Sequence, residues 1–335
     1  MATEKELKEV RIEKRIQLES LGINPYPSKC NKTHDLIDVI ESFKEGEEVT
    51  LAGRIMSLRG QGAIMFSDLY DGTGKFQIVL KEDVGITYND VEVEDGFQLL
   101  KDTVDMGDFI EVTGKLFITQ RGAESVEVKS WRMLSKAILP IPTEHFGIKD
   151  DDERYRKRYL DILSNLEVRE MLEKKSKFWK VMRDFMEGKG FMEVETPTLE
   201  VTTGGAEARP FKTHHNDFDM DVYLRISVGE LWQKRLMAAG LPKTFEIGKA
   251  YRNEGSSTEH LQEFTNMEFY WAYANYKDGM NLVKEMYRKI ATDVFGTTKF
   301  EIRGYEFDLS DEWEEIDFVE RINEVTGIDI LTASV

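Results

Sequence analysis

The sequence predicts an α+β chain of more than one domain, a small five-stranded β-barrel followed by a region that mixes strands and helices. Three observations carry this. Alternation of period two, punctuated by tight turns, runs from Val49 to about residue 134. A stretch holding Pro140 and Pro142 interrupts it. A long helical periodicity follows, then strands mixed with short helices up to about residue 275. The 335 residues suit about two domains, and 41% hydrophobic with 11% aromatic residues can fill two cores. The expected division is a helical extension over 1–45, the barrel over 46–137, a linker over 138–150 and a second domain over 151–335.

Taken in order, residues 4–21 form an amphipathic helix through Leu7, Val10, Ile12, Ile16 and Leu18, ended by Gly22 and Pro25. Residues 22–34 are irregular. Val49, Leu51, Gly53 and Ile55 alternate as a first strand, and Ile64 and Phe66 begin a second. The turn DGTG (71–74) leads to a third strand with Phe76, Ile78 and Leu80. A helical interval near 89–101 precedes two more strands, 108–120 and 123–134. Five short strands and one helix in this span are the pattern of a Greek-key barrel of the OB type. After the linker, Val168, Met171, Leu172, Phe178, Val181, Met182 and Phe185 mark a helix face, stopped by Gly188 and Gly190. A further helix is expected near 278–294. Residues 305–335 hold ten acids and a single base, Arg321, and read as a solvated helical insert.

Composition excludes several classes. No apolar run is long enough to span a membrane, and the N-terminus MATEKELKEVRIEKR has no apolar signal core. One cysteine, Cys30, forbids an intrachain disulfide and a four-cysteine zinc site. These points together indicate a cytoplasmic protein. The net charge of -18 taken alone argues against a nucleic-acid partner. A small basic or aromatic face on an acidic surface would escape that argument.

Three segments carry chemistry. GFMEVETPTLE (190–200) is a helix stop, an alternating strand and Thr196-Pro197, where proline marks a strand end. GGAEARPFKTHHNDF (204–218) is a glycine-rich loop that lets backbone approach a small ligand. Its adjacent His214 and His215 point to different faces and make a poor metal pair. TFEIGKAYRNEGSSTEHLQEFTNMEFYWAYANY (244–276) is a long hairpin presenting Arg252, Glu254, His260, Glu263, Phe264, Glu268 and Tyr270. An arginine on a rigid strand suits a clamp on phosphate, and a phenylalanine beside it can stack on a base. Read alone, such a hairpin is more often a set of surface ion pairs, and Phe66 is an inward-facing core residue.

Together these segments resemble the class II aminoacyl-tRNA synthetases, and among them the lysine-specific branch. GFMEVETPTLE resembles motif 1, the dimer-interface strand, and AYRNEG…EFTNMEFY resembles motif 2. TTGGAEARPFKTHHN is similar to the loop between them, and AGRIMSLRGQGAIMF…GKFQIVL and DDERYRKRYLDIL also match. The likeness runs to about residue 295. It implies an anticodon-binding OB domain before a class II antiparallel sheet flanked by helices. It implies activation of lysine by ATP to lysyl-adenylate, then transfer to tRNA(Lys), in a homodimer formed through motif 1.

By the same resemblance, Arg252 holds the α-phosphate and the lysine carboxylate, and Glu254 binds near adenine and ribose. His260 approaches the γ-phosphate and Phe264 stacks on adenine. Gly205 and Glu230 receive the α-amino group, and Glu268 and Tyr270 line the side-chain pocket. In the OB domain Phe66 stacks on the anticodon, with Arg59 and Gln77 as polar neighbours. The chain departs from the family at Leu261-Gln262, in place of Asn-Pro, and at Ser227-Val228-Gly229 before Glu230. The third motif, Gly-x-Gly-x-Gly-x-x-Arg, is absent, as are the late acidic residues that bind Mg2+ and cap the lysine side chain. The resemblance therefore implies a chain truncated before motif 3, with an incomplete sheet, no metal ligands of its own and no aminoacylation alone. A non-catalytic tRNA-binding module is the competing reading. A truncated paralogue that modifies proteins is a third, and the intact OB signature counts against it.

Overall fold

The computed structural model describes residues 3–87, 93–142 and 147–334. The chain divides into two compact units, Met1–Val168 and Arg169–Val335.

The first unit opens with α1 (Glu4–Ser20), started by a capping box between Thr3 and Glu6 and stopped at Gly22, whose φ is 77°. The expected apolar stripe is not what docks it. Leu18 is buried, but Leu7, Val10 and Ile16 are exposed. The buried anchor is Arg11, 8% exposed. Its Nη1 donates to the carbonyls of Ala137 (3.2 Å) and Leu139 (3.1 Å), and its Nη2 to that of Met106 (2.9 Å). A guanidinium offers five donors in a fixed fork, so one side chain satisfies three backbone acceptors.

A short α2 (Leu36–Glu41) precedes the barrel strands β1 (Glu48–Gln61), β2 (Ile64–Tyr70) and β3 (Lys75–Lys81). β4 (Gly85–Ile86), α3 (Gly96–Thr103), β5 (Phe109–Ile118) and β6 (Glu124–Ser135) follow. The order is β3-β2-β1-β5-β6-β4, and β3 also pairs in parallel with β6, which closes the five long strands into a barrel. The two-residue β4 is an addition to the five expected strands, too short for a periodic signal. Of the helix expected near 89–101, α3 is observed, and residues 88–92 lie outside the described residues. Gly96 opens α3 because a Cβ there would stand 2.5 Å from the Val84 carbonyl oxygen.

The barrel interior takes alternate residues of each strand, among them Leu51, Leu69, Ile78, Leu80, Ile110, Val112 and Trp131. The exit from β6 is locked by charge. Lys136, fully buried, donates to Asp108 (2.7 Å) and Asp105 (2.6 Å), and Lys14 from α1 also reaches Asp105 (2.7 Å). Burial pushes the Asp108 carboxyl up despite Lys136. Burial acts the same way on Asp105, but hydrogen bonds from Lys136 and Lys14 hold it below its ordinary range. After the linker, α4 (Asp151–Arg156) and α5 (Arg158–Ser164) join around buried Asp161, which accepts from Arg154 (2.9 Å) and Arg158 (2.5 Å).

The second unit is built on α6 (Leu166–Gly188), whose C-terminal half carries its core residues. β7 (Met192–Glu193), β8 (Leu199–Glu200), β9 (Lys212–His215), β10 (Met220–Leu224) and α7 (Glu230–Ala238) come next. The hairpin β11 (Lys243–Tyr251) and β12 (Glu263–Trp271) forms one sheet with β7 as its third strand, and β8-β10-β9 form another. The expected helix near 278–294 is α8 (Tyr276–Ile290), prolonged by a π-helical turn, Ala291–Phe295. Val181, Met182, Phe185 and Met186 of α6, with Leu282, Met286 and Ile290 of α8, pack on Phe245, Ile247, Met267, Phe269 and Trp271. Both helices thus cover one face of the hairpin.

The acidic tail differs from a plain helical insert. Lys299–Ile302 (β13) pairs with Tyr305–Asp308 (β14) before the helix α9 (Phe318–Thr326). The strands are four residues each, below the length at which alternation stands out from the charge. Among the described residues no helix is long and apolar enough to cross a membrane.

Candidate functional site

Strand parity places the candidate residues of the second unit. The register pairs Ala250 with Phe264, Gly248 with Asn266, Glu246 with Glu268 and Thr244 with Tyr270. These eight share the face opposite the helices, because side chains alternate across a strand. Arg252 continues the row just past β11. Its guanidinium stands 5.2 Å from the Phe264 ring centre, and its Nε donates to the Ile226 carbonyl (3.4 Å).

Glu268 is half-buried on that face. Its Oε1 accepts from the Val228 backbone N–H (2.9 Å) and from Asn266 Nδ2 (3.2 Å). Both donors sit on one oxygen, Oε1. Burial pushes this carboxyl up, against the Val228 hydrogen bond, and the nearby Glu230 carboxylate pushes it further. Tyr270 lies beside both acids, and burial first, then their charges, push its hydroxyl up to about 12.

Glu230 opens α7, where the helix dipole favours an anion, and one of its oxygens pairs with Lys234 at 2.6 Å. Gly205 has φ +90° and lies so close that a Cβ would collide with the Ser227 hydroxyl and the Glu230 carboxylate. The departure Ser227-Val228-Gly229 fits here. Ser227 Oγ donates to the Gly204 carbonyl (2.7 Å), and Gly229 takes φ +69° with a virtual Cβ 2.6 Å from Glu246 Oε2.

The structure therefore brings Gly205, Glu230, Glu268, Tyr270, Arg252 and Phe264 to one face. Glu254 and His260 sit apart, in the exposed loop between the strands. Glu254 accepts from the Arg209 backbone (3.3 Å), and His260 Nδ1 meets Ser257 Oγ (2.8 Å). The unusual Gln262 ties this loop, donating to the Glu254 carbonyl (3.0 Å) and to Ser256 Oγ (2.8 Å). His214 on β9 pairs with Asp219 (3.3 Å) in solvent, and His215 packs at a tilt against Phe218.

Several residues were missed in the sequence. Glu246 and Arg225, 4% and 2% exposed, form a buried pair at 2.5 Å. Glu246 Oε2 accepts from Thr196 Oγ1 (2.6 Å), and Arg225 Nε donates to the Lys249 carbonyl (2.7 Å). Gly248 leaves the space that the Arg225 guanidinium fills. Fully buried Gln233 accepts from Thr244 Oγ1 (2.9 Å) and donates to the Val228 carbonyl (3.2 Å), which fixes the loop bearing the Glu268 donor. The hairpin register puts Glu246 beside Glu268, but nothing local in the sequence marks its partner Arg225 or the buried Gln233.

In the first unit, Arg59 on β1 lies opposite Phe66 on β2, and Gln77 on β3 lies opposite Asp68. Asp68 accepts from Arg59 Nη2 at 3.2 Å. The inward reading of Phe66 is corrected: Ser67 and Leu69 take the inner parity and are buried, while half-buried Phe66 faces out. Arg59, Phe66 and Gln77 line one concavity of about 680 Å³.

The family of class II tRNA synthetases (D, K and N) matches residues 150–332, and the OB-fold nucleic acid binding domain matches residues 49–134. The lysine–tRNA ligase of Pelotomaculum thermopropionicum is 44% identical over 97% of this chain and 63% of its own length. That of Clostridium perfringens strain 13 is 43% identical over 96% of this chain and 63% of its own. That of Bacillus subtilis strain 168 is 41% identical over 96% and 64%. The chain thus spans a little under two thirds of the length of these relatives.

Proposed function

Since the chain belongs to the class II tRNA synthetases of the D, K and N group, with an OB-fold domain ahead of the synthetase domain, we propose that it serves the ATP-dependent ligation of lysine to tRNA(Lys). In this reaction the lysine carboxylate attacks the α-phosphate of ATP, releasing pyrophosphate. The terminal ribose hydroxyl of tRNA(Lys) then takes the lysyl group from the adenylate and AMP leaves. Positioning and charge supply the rate, with no protein nucleophile.

Arg252 supports this role by standing at the end of the acidic row, where it can bind the substrate carboxylate and the α-phosphate. Phe264 beside it supplies a face for adenine, with Glu254 and His260 assigned to the ribose and γ-phosphate from the loop. Gly205 and Glu230 take the α-amino group. The observation that carries the lysine reading is Glu268, a half-buried carboxylate on the site face whose two donors both bind Oε1. An ammonium satisfies it, whereas an uncharged side chain leaves it buried without a counter-charge. Magnesium would neutralise phosphate charge in such a reaction. Among the described residues no three His, Cys, Asp or Glu side chains gather to hold it, and no step above runs through it.

Arg59, Phe66 and Gln77 are assigned to the anticodon. A homodimer through motif 1 is supported by exposed Met192 and Leu199 along that segment and Val201 just past it. The role places the protein in the cytoplasm. Calorimetric titration tests the reading: lysine should bind and norleucine, which lacks the ammonium, should not. Equal binding of the two, or binding of neither, overturns it.

A further inference from the structure

A buried amide joins the two carboxylates of the second unit's site. Gln233 is fully buried on α7, one turn past Glu230. Its Oε1 accepts from Thr244 Oγ1 (2.9 Å), and Thr244 is itself fully buried, opposite Tyr270 on the hairpin. Its Nε2 donates to the carbonyls of Val228 (3.2 Å) and Glu268 (3.4 Å). Both groups at the nitrogen end can only accept, so the orientation of the amide is fixed.

These bonds close a circuit. Glu230 and Gln233 share one helix, whose first turn is set by Gln233 N–H to Gly229 O (2.7 Å). Val228, in the loop before it, is held at both ends: its N–H donates to Glu268 Oε1 (2.9 Å) and its carbonyl accepts from Gln233. Glu268 is likewise held twice, at its carboxylate by Val228 and at its backbone carbonyl by Gln233. One side chain thus ties the helix that carries Glu230 to the strand that carries Glu268, and fixes the span between the two carboxylates. An amino acid with an amino group at each end is gauged by that span. One methylene fewer leaves an ammonium short of its carboxylate. A missing methylene alone costs roughly 10–200-fold in an apolar pocket, and a buried carboxylate left unmet adds to it.

We propose that Gln233 is a positioning residue that sets the length of the amino-acid side chain, holding Glu230 and Glu268 at the span of lysine and against the shorter ornithine. This rests on the reading of Glu230 and Glu268 as acceptors of the two amino groups given above.

The test is calorimetric titration of the chain with lysine and with ornithine. The parent chain should prefer lysine by about tenfold or more. Q233M keeps the length of the side chain without its hydrogen bonds. It should weaken lysine about tenfold and ornithine by less than about twofold, so that the preference collapses. T244V removes the donor to Oε1 and leaves Gln233 in place. It should move the ratio the same way by less, T244S should restore it, and this pair decides the matter where Q233M does not fold. Burial raises the Glu268 carboxyl and the Val228 N–H opposes it, so the pH below which lysine binding is lost should rise in Q233M. Arg225, Glu230 and Tyr270, the other titratable groups around Glu268, are unchanged in these variants. A parent chain that binds the two amino acids alike, a Q233M that weakens both equally, or a preference unchanged in Q233M and T244V overturns the role of Gln233 alone. A parent chain that binds neither overturns the lysine reading and this proposal with it.

Discussion

Replacing Glu246 by alanine removes the carboxylate that faces the Arg225 guanidinium at 2.5 Å and accepts from Thr196 at 2.6 Å. The two charged side chains are 3% and 5% exposed, so water cannot take the place of the lost partner. Arg225 keeps only carbonyl and hydroxyl acceptors, those of Lys249 and Thr196. Leaving one charge of a buried pair unpaired costs about 3–5 kcal/mol. With an urea slope of about 2 kcal/mol/M, the midpoint of the second unit should fall by about 2 M. Urea unfolding followed through Trp179, Trp232, Trp271 and Trp313 measures it, since the first unit holds only Trp131. The double variant R225M/E246L removes both charges and should cost less than either single change. A loss below about 1 kcal/mol for E246A, or single losses that simply add, would refute the argument.

Three further outcomes follow from the same geometry. K136M strands Asp108 in the barrel wall and should destabilise the first unit by about 3–5 kcal/mol, read on Trp131, with a smaller deficit at low pH where Asp108 takes up a proton. Glu268 has a folded-state pKa above its unfolded value, so its ionisation costs stability at neutral pH, and that cost fades as pH falls through the raised folded-state pKa and is gone below the unfolded value. E268Q should therefore raise the urea midpoint at neutral pH, lose the gain in acid, and abolish lysine binding by calorimetry. G205A forces a side chain into φ +90° and onto Ser227 and Glu230, so it should remove lysine binding while RNA stem-loop binding persists.

How far the sequence could be read depended on the range of the signal. The barrel strands and the motif 2 hairpin were legible because each alternates over seven or more residues. The four-residue strands of the acidic tail were not, and neither was β4. Parity within a strand was visible, but which parity faces the core is set by the neighbours. Phe66 was accordingly misread as inward, although Leu69 three residues on marks the inner face. Arg11 shows the same limit from the other side. A charged residue on a helix of apolar stripes draws no attention until its three carbonyl partners, about a hundred positions away, are in place. The candidate site was legible where it is a motif, at Arg252, Phe264, Glu268 and Tyr270. It was silent where it is a network, at Arg225, Glu246, Gln233 and Asn266.

The barrel is closed by a short parallel seam of three residue pairs, Gln77 with Ser125, Ile78 with Val126 and Val79 with Glu127. Gln77 belongs at once to that seam and to the concavity that we assign to RNA. Anything that lies across Phe66, Gln77 and Phe117 of β5, which lines the same concavity, therefore acts as a clasp over the join, because it grips strands on both sides. Its binding free energy must then add to the work of parting β3 from β6. The amides along this seam should exchange with solvent faster than those of the β5–β6 ladder in the free chain, and slow selectively once RNA is bound. Occupancy of the face would be written in the breathing of the barrel itself.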